Sequence, residues 1–418
     1  MGRFVLRDEF FGSTLYDKKM LKHKFLDKEE TKTALTGDFE FDRAAVLDVE
    51  HLKGELNGIR TDIIYSPIRV YYELTTKCNL RCKTCFNKSG KPRDDELSID
   101  EVTRVLDGLR KDNLFDIRFT GGEVTTKDGW EDILQHAKDL GFAISINTNG
   151  VFDNENIVDK LVKIAPHQVT LSFDGLKETN DFIRGKGSFD KAFNSLIAFY
   201  EKGVELRTNT LITKEVTQEA EGMINLLKPY VSDMAFFNMR LMGRAKNILD
   251  RSVSYEELKR FNEKMDEVVK RHPEIHIQYR EPATTYNGIQ LENKFGLMSG
   301  RCPGGLTRFV ITSEGDMHTC GYLPYINLEN PVPGAHLGNI VKDGYTTLRI
   351  WRESESSDLF RRINEKRTQV CLECNHHKIE CPGVCLADEF NRKNVPNKKN
   401  PYCLKDKIDN NIYLNYLV

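Results

Sequence analysis

Three cysteines with a spacing suited to metal binding lie close together near residue 80. They occupy Cys78-Asn-Leu-Arg-Cys82-Lys-Thr-Cys85, after a β-branched run at 68–75. Three thiolates this close can bind one face of a cubane [4Fe–4S] cluster. Because no fourth cysteine is nearby, one iron is left open, and the amine and carboxylate of a small molecule could chelate it. Zinc is the alternative, but zinc sites usually take four ligands from C-x2-C pairs.

The other cysteines are grouped near the end of the chain. None of the ten cysteines lies between 85 and 302, and core cysteines would be more scattered. In a reducing compartment, this grouping is typical of metal ligands rather than disulfides. The remaining seven are Cys302, Cys320, Cys371, Cys374, Cys381, Cys385 and Cys403. Residues 309–320 predict a β-hairpin with its turn at Glu314-Gly315.

Further polar residues follow other strand candidates. Gly121 and Gly122 would let the backbone approach a ligand closely. Glu123 can accept a hydrogen bond from a cationic amine. Ser172 and Arg184 follow a later strand candidate. Taken singly, most of these positions also fit ordinary turns.

The middle of the chain alternates between strand and helix patterns, which implies a parallel sheet with right-handed crossovers. About six such units are too few for a closed eight-stranded barrel, so the sequence predicts an α/β fold with a partial (β/α)6 barrel. Ligands of such folds lie at the carboxyl ends of the strands, where the motifs above fall. Strands are predicted at 68–75, 115–120, 142–147, 168–173, 204–211 and 232–238, and helices at 98–111, 128–140, 153–164, 188–202, 217–229 and 254–272.

The two ends of the chain differ from this middle part. The predicted domains are 1–60, the barrel at 61–285, and a cysteine-rich domain at 286–418. In the first domain, short strands are expected before residue 28. A helix is expected within 39–52, from the spacing of its apolar residues.

The composition is that of an ordinary globular protein, with 39% hydrophobic and 30% charged residues in 418. A net charge of −2 gives no support to broad nucleic-acid binding. No apolar run approaches a membrane span, and the N-terminus lacks the apolar stretch of a secretion signal. We therefore expect a cytoplasmic protein without a membrane or nucleic-acid partner.

The first cysteine motif and the strand-end residues resemble the radical S-adenosylmethionine (SAM) superfamily. The resemblance implies that Cys78, Cys82 and Cys85 hold a [4Fe–4S] cluster whose open iron binds SAM, and that the cleaved SAM yields a 5′-deoxyadenosyl radical. It implies that Gly121, Gly122 and Glu123 bind the SAM amine end. Ser172 would then reach the ribose, and Arg184 would pair with the carboxylate. Thr84 departs from the family, which usually has an aromatic residue there.

The later cysteines resemble the SPASM extension of radical SAM enzymes, which holds two auxiliary [4Fe–4S] clusters. The resemblance implies an outer cluster on Cys371, Cys374, Cys381 and Cys403 and an inner one on Cys302, Cys320 and Cys385. Seven thiolates leave an iron of the inner cluster open for a substrate thiolate. Alternatively, His318, water or a backbone atom fills that position. Zinc bound by Cys371, Cys374, Cys381 and His376 or His377 is a further alternative. Six residues separate Cys374 from Cys381, whereas the family usually has five there.

The N-terminal segment, with Phe10-Phe11-Gly12 and Phe25-Leu26-Asp27, resembles the leader-recognition domain fused to peptide-modifying radical SAM enzymes. That domain is a small winged-helix-like unit, and it binds a leader peptide as an added strand. The alternative is a structural cap on the barrel.

These resemblances together imply a radical SAM maturase of a ribosomally made precursor peptide. The expected product is a cross-link, with a Cys-derived thioether favoured by the open inner cluster. A low-potential donor of the ferredoxin or flavodoxin type would supply electrons. The alternatives are carbon–carbon cross-linking, epimerisation, an anaerobic sulfatase-maturing enzyme and a cofactor-tailoring enzyme. A multi-cluster electron carrier is the non-enzymatic alternative. No catalytic acid or base is predicted.

Overall fold

The computed structural model describes residues 2–41, 44–45, 49–56, 60–154, 156–279, 295–298, 302–326, 336–372, 385 and 387. At 41, 44–45, 255, 363 and 366–372 it describes the backbone alone. Within this part, no helix is long and apolar enough to cross a membrane.

The N-terminal unit is a four-stranded sheet with one helix. Its elements are β1 (Phe4–Glu9), β2 (Gly12–Asp17), β3 (Lys22–Asp27), α1 (Lys28–Thr36), the two-residue strands β4 (Glu40–Phe41) and β5 (Ala44–Ala45), and β6 (Val49–Leu52). The sheet order is β3-β2-β1-β6, and α1 begins with a capping box between Asp27 and Glu30.

The predicted early strands are confirmed, but the helix expected within 39–52 is wrong. Residues 49–52 pair with β1 in parallel, with Val49 opposite Phe4. The apolar spacing is compatible with short strands as well as with a helix. A long-range partner strand decides between them, and the local pattern does not contain that partner.

The middle of the chain forms the predicted parallel sheet. Its strands are β7 (Arg69–Glu73), β8 (Asp116–Thr120), β9 (Ala143–Thr148), β10 (Gln168–Ser172), β11 (Leu206–Ile212), β12 (Asp233–Asn238) and β13 (His276–Gln278). Its helices are α2 (Ile99–Lys111), α3 (Trp130–Asp139), α4 (Asn156–Ile164), α5 (Lys177–Arg184), α6 (Ser188–Glu201), α7 (Lys214–Leu227) and α8 (Tyr255–Arg271). Strands β7 to β13 follow one another in order, so the fold is a partial, open barrel.

The helices of this barrel are held by amphipathic faces and by their caps. In α2, Ser98 and Glu101 form a capping box, while Val105 and Leu109 are fully buried. A second capping box, between Ser254 and Glu257, begins α8. The expected helices are thus confirmed. The structure adds α5 and β13, which are too short for a clear periodic signal.

The cysteine-rich segment continues the barrel sheet. Its described elements are β14 (Arg308–Ile311), β15 (Asp316–His318), β16 (His336–Asn339), α9 (Leu348–Glu353) and α10 (Glu355–Leu372). The predicted hairpin is confirmed as β14 and β15, and Gly315 has a positive φ of 85° in its turn. Strand β14 pairs in parallel with β7, so one ten-stranded sheet crosses the boundary expected at 286.

The N-terminal unit docks at the amino ends of the barrel strands. The buried guanidinium of Arg7 donates to the carbonyl oxygens of Ser66, Pro67 and Asn113. The hydroxyl of Tyr16 donates to Asp116 Oδ2 over 2.5 Å. The cysteine loop follows β7 at its carboxyl end, so this docking surface lies at the opposite end of the barrel from the predicted site.

Candidate active site and iron–sulfur ligands

The cysteine loop between β7 and α2 is fixed at its start by a carboxylate. Glu96 accepts hydrogen bonds from the Thr76 amide at 2.6 Å and from the Thr75 hydroxyl at 2.7 Å. The Cys78 amide then donates to the Gly90 carbonyl at 3.0 Å, which closes the loop. These bonds place the loop directly above the carboxyl end of β7.

The glycines of the strand-end motif lie against this loop. A Cβ on Gly121 would stand 2.4 Å from the Thr75 carbonyl oxygen, and one on Gly122 would stand 2.0 Å from that of Lys77. The Gly122 amide also donates to the Thr75 carbonyl at 2.6 Å. The close approach that these glycines permit in the structure is therefore to the cysteine loop itself. A role in binding SAM stays a prediction.

Cys78, Cys82 and Cys85 line one cavity, and in the described part of the chain they form no disulfide. The pKa of the Cys78 thiol is raised to about 11, chiefly by burial and to a lesser degree by Glu123, Cys82 and Cys85, while the Leu80 amide lowers it. Burial raises the pKa of the Cys82 thiol as well, so the thiolate forms of Cys78 and Cys82 are disfavoured without a compensating positive charge. Bound iron supplies that charge, so this donor set fits an iron–sulfur cluster.

Hydrogen-bond donors surround the Cys78 sulfur. The Leu80 amide lies 3.4 Å from Cys78 Sγ, and the Asn149 side-chain nitrogen lies 3.8 Å from it. Asn149 also donates to Asn79 Oδ1 at 2.8 Å, so the end of β9 is tied to the loop. Donors of this kind stabilise a thiolate that binds a metal.

Arg244, which the sequence did not single out, holds the far side of the loop. Its guanidinium donates to the carbonyl oxygens of Cys82 at 2.7 Å and Ser89 at 2.9 Å. Its amide donates to the Cys85 carbonyl at 2.9 Å. The preceding Gly243 has no room for a Cβ, which would stand 2.2 Å from the Phe86 carbonyl oxygen. Because Arg244 follows β12, about 160 residues later, no local pattern indicates this contact.

Glu123 is buried beneath the loop, at the ends of β8 and β9. Both carboxylate oxygens accept from the Thr148 hydroxyl at 3.0 Å, and Oε2 accepts from the Asn149 amide at 2.8 Å. Burial raises the pKa of Glu123, while these hydrogen bonds oppose the shift. The carboxylate thus joins two strand ends. Its predicted contact with the SAM amine stays a prediction.

Ser172 and Arg184 both line the cavity. Arg184 Nε donates to Asp174 Oδ2 at 2.9 Å, and Asp174 Oδ1 accepts from the Leu211 amide at 3.0 Å. Asp174 therefore orients the Arg184 guanidinium in the wall of the cavity. The proposed pairing of Arg184 with the SAM carboxylate remains a prediction.

Three of the later cysteines line the same cavity. Cys302, Cys320 and Cys385 are the three that resemblance assigns to the inner auxiliary cluster. Burial, and next to it the Cys302 thiol, raise the pKa of Cys320 to about 11, so this thiol too needs a compensating positive charge before it ionises. The Asn364 side chain donates to the Cys302 carbonyl at 2.7 Å and fixes that residue. The side chains of Cys371, Cys374, Cys381 and Cys403 lie outside the described residues.

His318, the alternative ligand of the inner cluster, belongs to another group of side chains. It lies against His336, with 5.2 Å between the ring centroids. It is not among the described residues that line the cavity. His336 in turn lies 3.4 Å from Asp316.

An aromatic group joins the two sets of cysteines. Phe86, directly after Cys85, has its ring centroid 4.9 Å from that of Tyr322 and 5.5 Å from that of Tyr325. The Tyr325 hydroxyl lies 2.6 Å from both carboxylate oxygens of Glu73, the last residue of β7. Glu73 and Tyr325 were missed in the sequence, since neither belongs to a cysteine motif.

The cavity has a volume of about 2220 Å³. That exceeds the roughly 300–1,000 Å³ of ordinary small-molecule sites. All six cysteines whose side chains are described line it: Cys78, Cys82, Cys85, Cys302, Cys320 and Cys385. The same cavity also reaches Tyr16, Arg69 and Gln168 at the amino ends of the strands, so only part of this volume lies beside the cysteines.

Two family models match this chain. Residues 72–227 match the radical SAM superfamily, and residues 302–375 match the SPASM iron–sulfur cluster-binding domain. These ranges include the cysteine loop and its strand-end residues, and the hairpin with Cys302 and Cys320. The two domains indicate iron–sulfur clusters and SAM as cofactors.

Two relatives and one solved structure align with most of this chain. Mycofactocin maturase MftC of Mycolicibacterium smegmatis is 26% identical, over an alignment that includes 78% of this chain and 79% of MftC. The AdoMet-dependent heme synthase of Nitratidesulfovibrio vulgaris is 25% identical, over 80% of this chain and 91% of the synthase. The crystal structure of Streptococcus suis SuiB bound to its precursor peptide SuiA has a TM-score of 0.70 at 18% identity, covering 97% and 98%. This chain is an enzyme of the radical SAM superfamily that carries a SPASM domain.

Proposed function

We propose that this enzyme is a maturase that modifies a ribosomally made precursor peptide. The observation that carries the proposal is that one cavity is lined both by Cys78, Cys82 and Cys85 and by Cys302, Cys320 and Cys385. Similarity to MftC and the fold shared with SuiB along 97% of the chain support it. The cofactors would be SAM and three [4Fe–4S] clusters, one bound by the first cysteine motif.

Bound in this cavity, SAM and its reduced cluster would supply a 5′-deoxyadenosyl radical that removes a hydrogen atom from the peptide. The protein's own residues hold the cysteine loop in place, orient a cation and line the site with apolar surface. Glu96 and Arg244 fix the cysteine loop. Asp174 orients Arg184 for an anionic group. Phe86 and Tyr322 provide apolar surface where the two cysteine sets meet.

The bond that we propose is a thioether from a peptide cysteine. An inner cluster held by only Cys302, Cys320 and Cys385 would keep one iron for the substrate thiolate. Carbon–carbon cross-linking and epimerisation are the outcomes that a test must separate from it. A ferredoxin- or flavodoxin-type donor would supply the electron.

The N-terminal unit would bind the leader segment of the precursor. Its sheet order leaves β3 with β2 as its one partner strand among the described elements, so a peptide can add beside β3. Lys22 and Lys24 on that strand favour an acidic leader.

A tetrapyrrole-tailoring function is the second candidate, because the heme synthase relative is nearly as similar as MftC.

The experiment that tests the maturase proposal uses anaerobically reconstituted enzyme, SAM, dithionite and short peptides encoded beside the gene. A maturase converts the full precursor to a product lighter by two hydrogen atoms per cross-link, with its cysteine closed to alkylation, and leaves the leaderless core unchanged. Turnover of an iron porphyrin in place of every peptide would contradict the proposal.

A further inference from the structure

Glu73 lies in the wall of the cavity that both sets of cysteines line. It is the last residue of β7, and its side chain is 4% exposed. Its Cγ is 3.4 Å from where a Cβ on Gly121 would stand, so it adjoins the strand-end glycines. On its other side, Tyr325 reaches it from the turn that follows Cys320. The carboxylate thus faces both halves of the site.

The side chains that act most strongly on Glu73 come from nearby loops and turns. Burial raises the pKa of Glu73 to about 7. The Tyr325 hydroxyl, the Arg93 guanidinium and the Asn87 amide lower the pKa, and the Glu314 carboxylate raises it. Arg93 is held by Glu314 in an ion pair, so it compensates Glu73 only in part.

A purely structural role explains this arrangement poorly. A Tyr–Gln pair would make the same link to β7 without burying a carboxylate, and a buried carboxylate costs free energy when it ionises. An acceptor whose pKa is near neutrality suits general-base catalysis, and active sites are where such values occur.

We propose that Glu73 is the residue that accepts the proton released when the cross-link forms, an inference that rests on the proposed function. The S–H bond of the peptide cysteine would break as its sulfur takes the open iron of the inner cluster, and the proton would move to the Glu73 carboxylate. Once the peptide carbon has lost its hydrogen atom, the carbon–sulfur bond would form between the carbon radical and the thiolate, and one electron would leave to an auxiliary iron–sulfur cluster, which would thereby be reduced. Atoms and charge balance in this step, and the same acceptor would serve any X–H partner of the peptide radical.

The test compares Glu73→Gln with wild type in the reconstituted enzyme with SAM, dithionite and precursor peptide. The variant should still form 5′-deoxyadenosine, but cross-linked product per 5′-deoxyadenosine should fall by about 100-fold or more, the usual contribution of a general base. Glu201→Gln, on the exposed end of α6, is the matched control and should behave as wild type. An unchanged ratio in Glu73→Gln would overturn the inference.

Tyr325→Phe separates a proton acceptor from a structural contact. It keeps the ring and the carboxylate but removes the hydrogen bond that lowers the pKa of Glu73. The rise of product yield with pH, expected around neutrality in wild type, should move to higher pH. A profile that does not move would count against the role of Glu73.

A measurement without turnover checks the protonation itself. Because the folded pKa of Glu73 is above its unfolded value, the wild type should lose stability relative to Glu73→Gln as pH rises from 4.5 to about 7, and the difference should level off at higher pH. A difference in thermal midpoint that is independent of pH overturns the inference.

If wild type modifies no peptide, the proposed function itself fails. If it does so and Glu73→Gln matches it, only the role of Glu73 fails.

Discussion

At the scale of single residues, the site depends on buried groups whose charges need partners. Burial raises the pKa of both Cys78 and Cys320 to about 11. These thiols are thus poor ligands until a metal provides positive charge, and metal binding must release their protons. Cluster incorporation should therefore become more favourable as pH rises.

Glu123 provides a test at this scale. In Glu123→Gln, an amide replaces a carboxylate that accepts from Thr148 and from the Asn149 amide. The NH₂ group of glutamine faces some of those donors, so we expect the free energy of unfolding to fall by about 1–3 kcal/mol in urea denaturation above neutral pH. Glu131→Gln, at an exposed ion pair on α3, is the control. Equal stability of both variants would mean that Glu123 does not join the strand ends.

The ligands were readable from the sequence because cysteine spacing is a local signal. Their supports were not. Arg244 and Tyr325 reach the site from loops distant in sequence, and only the fold shows that they meet the cysteine loop and β7. Glu73 was hidden for another reason, since a single acidic residue at a strand end is common.

At the scale of elements, the carboxyl ends of β7, β8 and β9 act as one unit. The loop after β7 carries the cysteines, the turn after β8 carries Gly122, and the end of β9 contributes Asn149. Parallel pairing puts these ends side by side, so the hydrogen bonds among them are short. The position of the cysteine loop thus depends on the neighbouring strand ends.

Gly122→Ala tests this dependence. Its Cβ would lie 2.0 Å from the Lys77 carbonyl oxygen, which is backbone and cannot move without the cysteine loop. After anaerobic reconstitution, we expect the variant to bind about four fewer irons per chain than wild type, the content of one cubane.

Gly222→Ala in α7 is the matched control. Its Cβ would have one contact, 3.4 Å from a Leu176 methyl group, and alanine favours a helix over glycine. Iron content should be that of wild type. Full iron loading of Gly122→Ala would show that the loop does not depend on its fit to the strand-end glycine.

The elements themselves were largely predictable because alternating strand and helix patterns are strong over whole segments. The helix expected within 39–52 failed because a distant partner, β1, takes its backbone into a sheet. The pairing of β14 with β7 could not be predicted either, since the apolar residues of a strand do not indicate which strand it pairs with.

At the scale of the molecule, the three parts of the chain share one core. Trp351 of α9 is fully buried, lies 6.3 Å from Phe309 of β14 between ring centroids, and donates from Nε1 to the Ile64 carbonyl at 3.2 Å. Arg361 lies over its indole ring at 4.4 Å. The segment before the barrel and the cysteine-rich segment are thus packed into a common structure.

Trp351→Ala should therefore destabilise the whole molecule. Removing a buried Trp side chain costs about 3–5 kcal/mol. We expect a lower thermal midpoint by circular dichroism, with tertiary signals lost in the same transition. Leu35→Ala, at an exposed position of α1, should change stability by no more than about 0.5 kcal/mol. Loss of the cysteine-rich segment alone, ahead of the barrel, would contradict the shared core.

The central claim is that Cys78, Cys82 and Cys85 make the radical-generating site of this cavity. The most direct measurement is 5′-deoxyadenosine formed from SAM and dithionite by the reconstituted enzyme and by a variant with these three cysteines changed to alanine. The wild type should form 5′-deoxyadenosine. The variant should form none while keeping the iron bound by the later cysteines. 5′-Deoxyadenosine from the variant, or its absence from the wild type, would contradict the account.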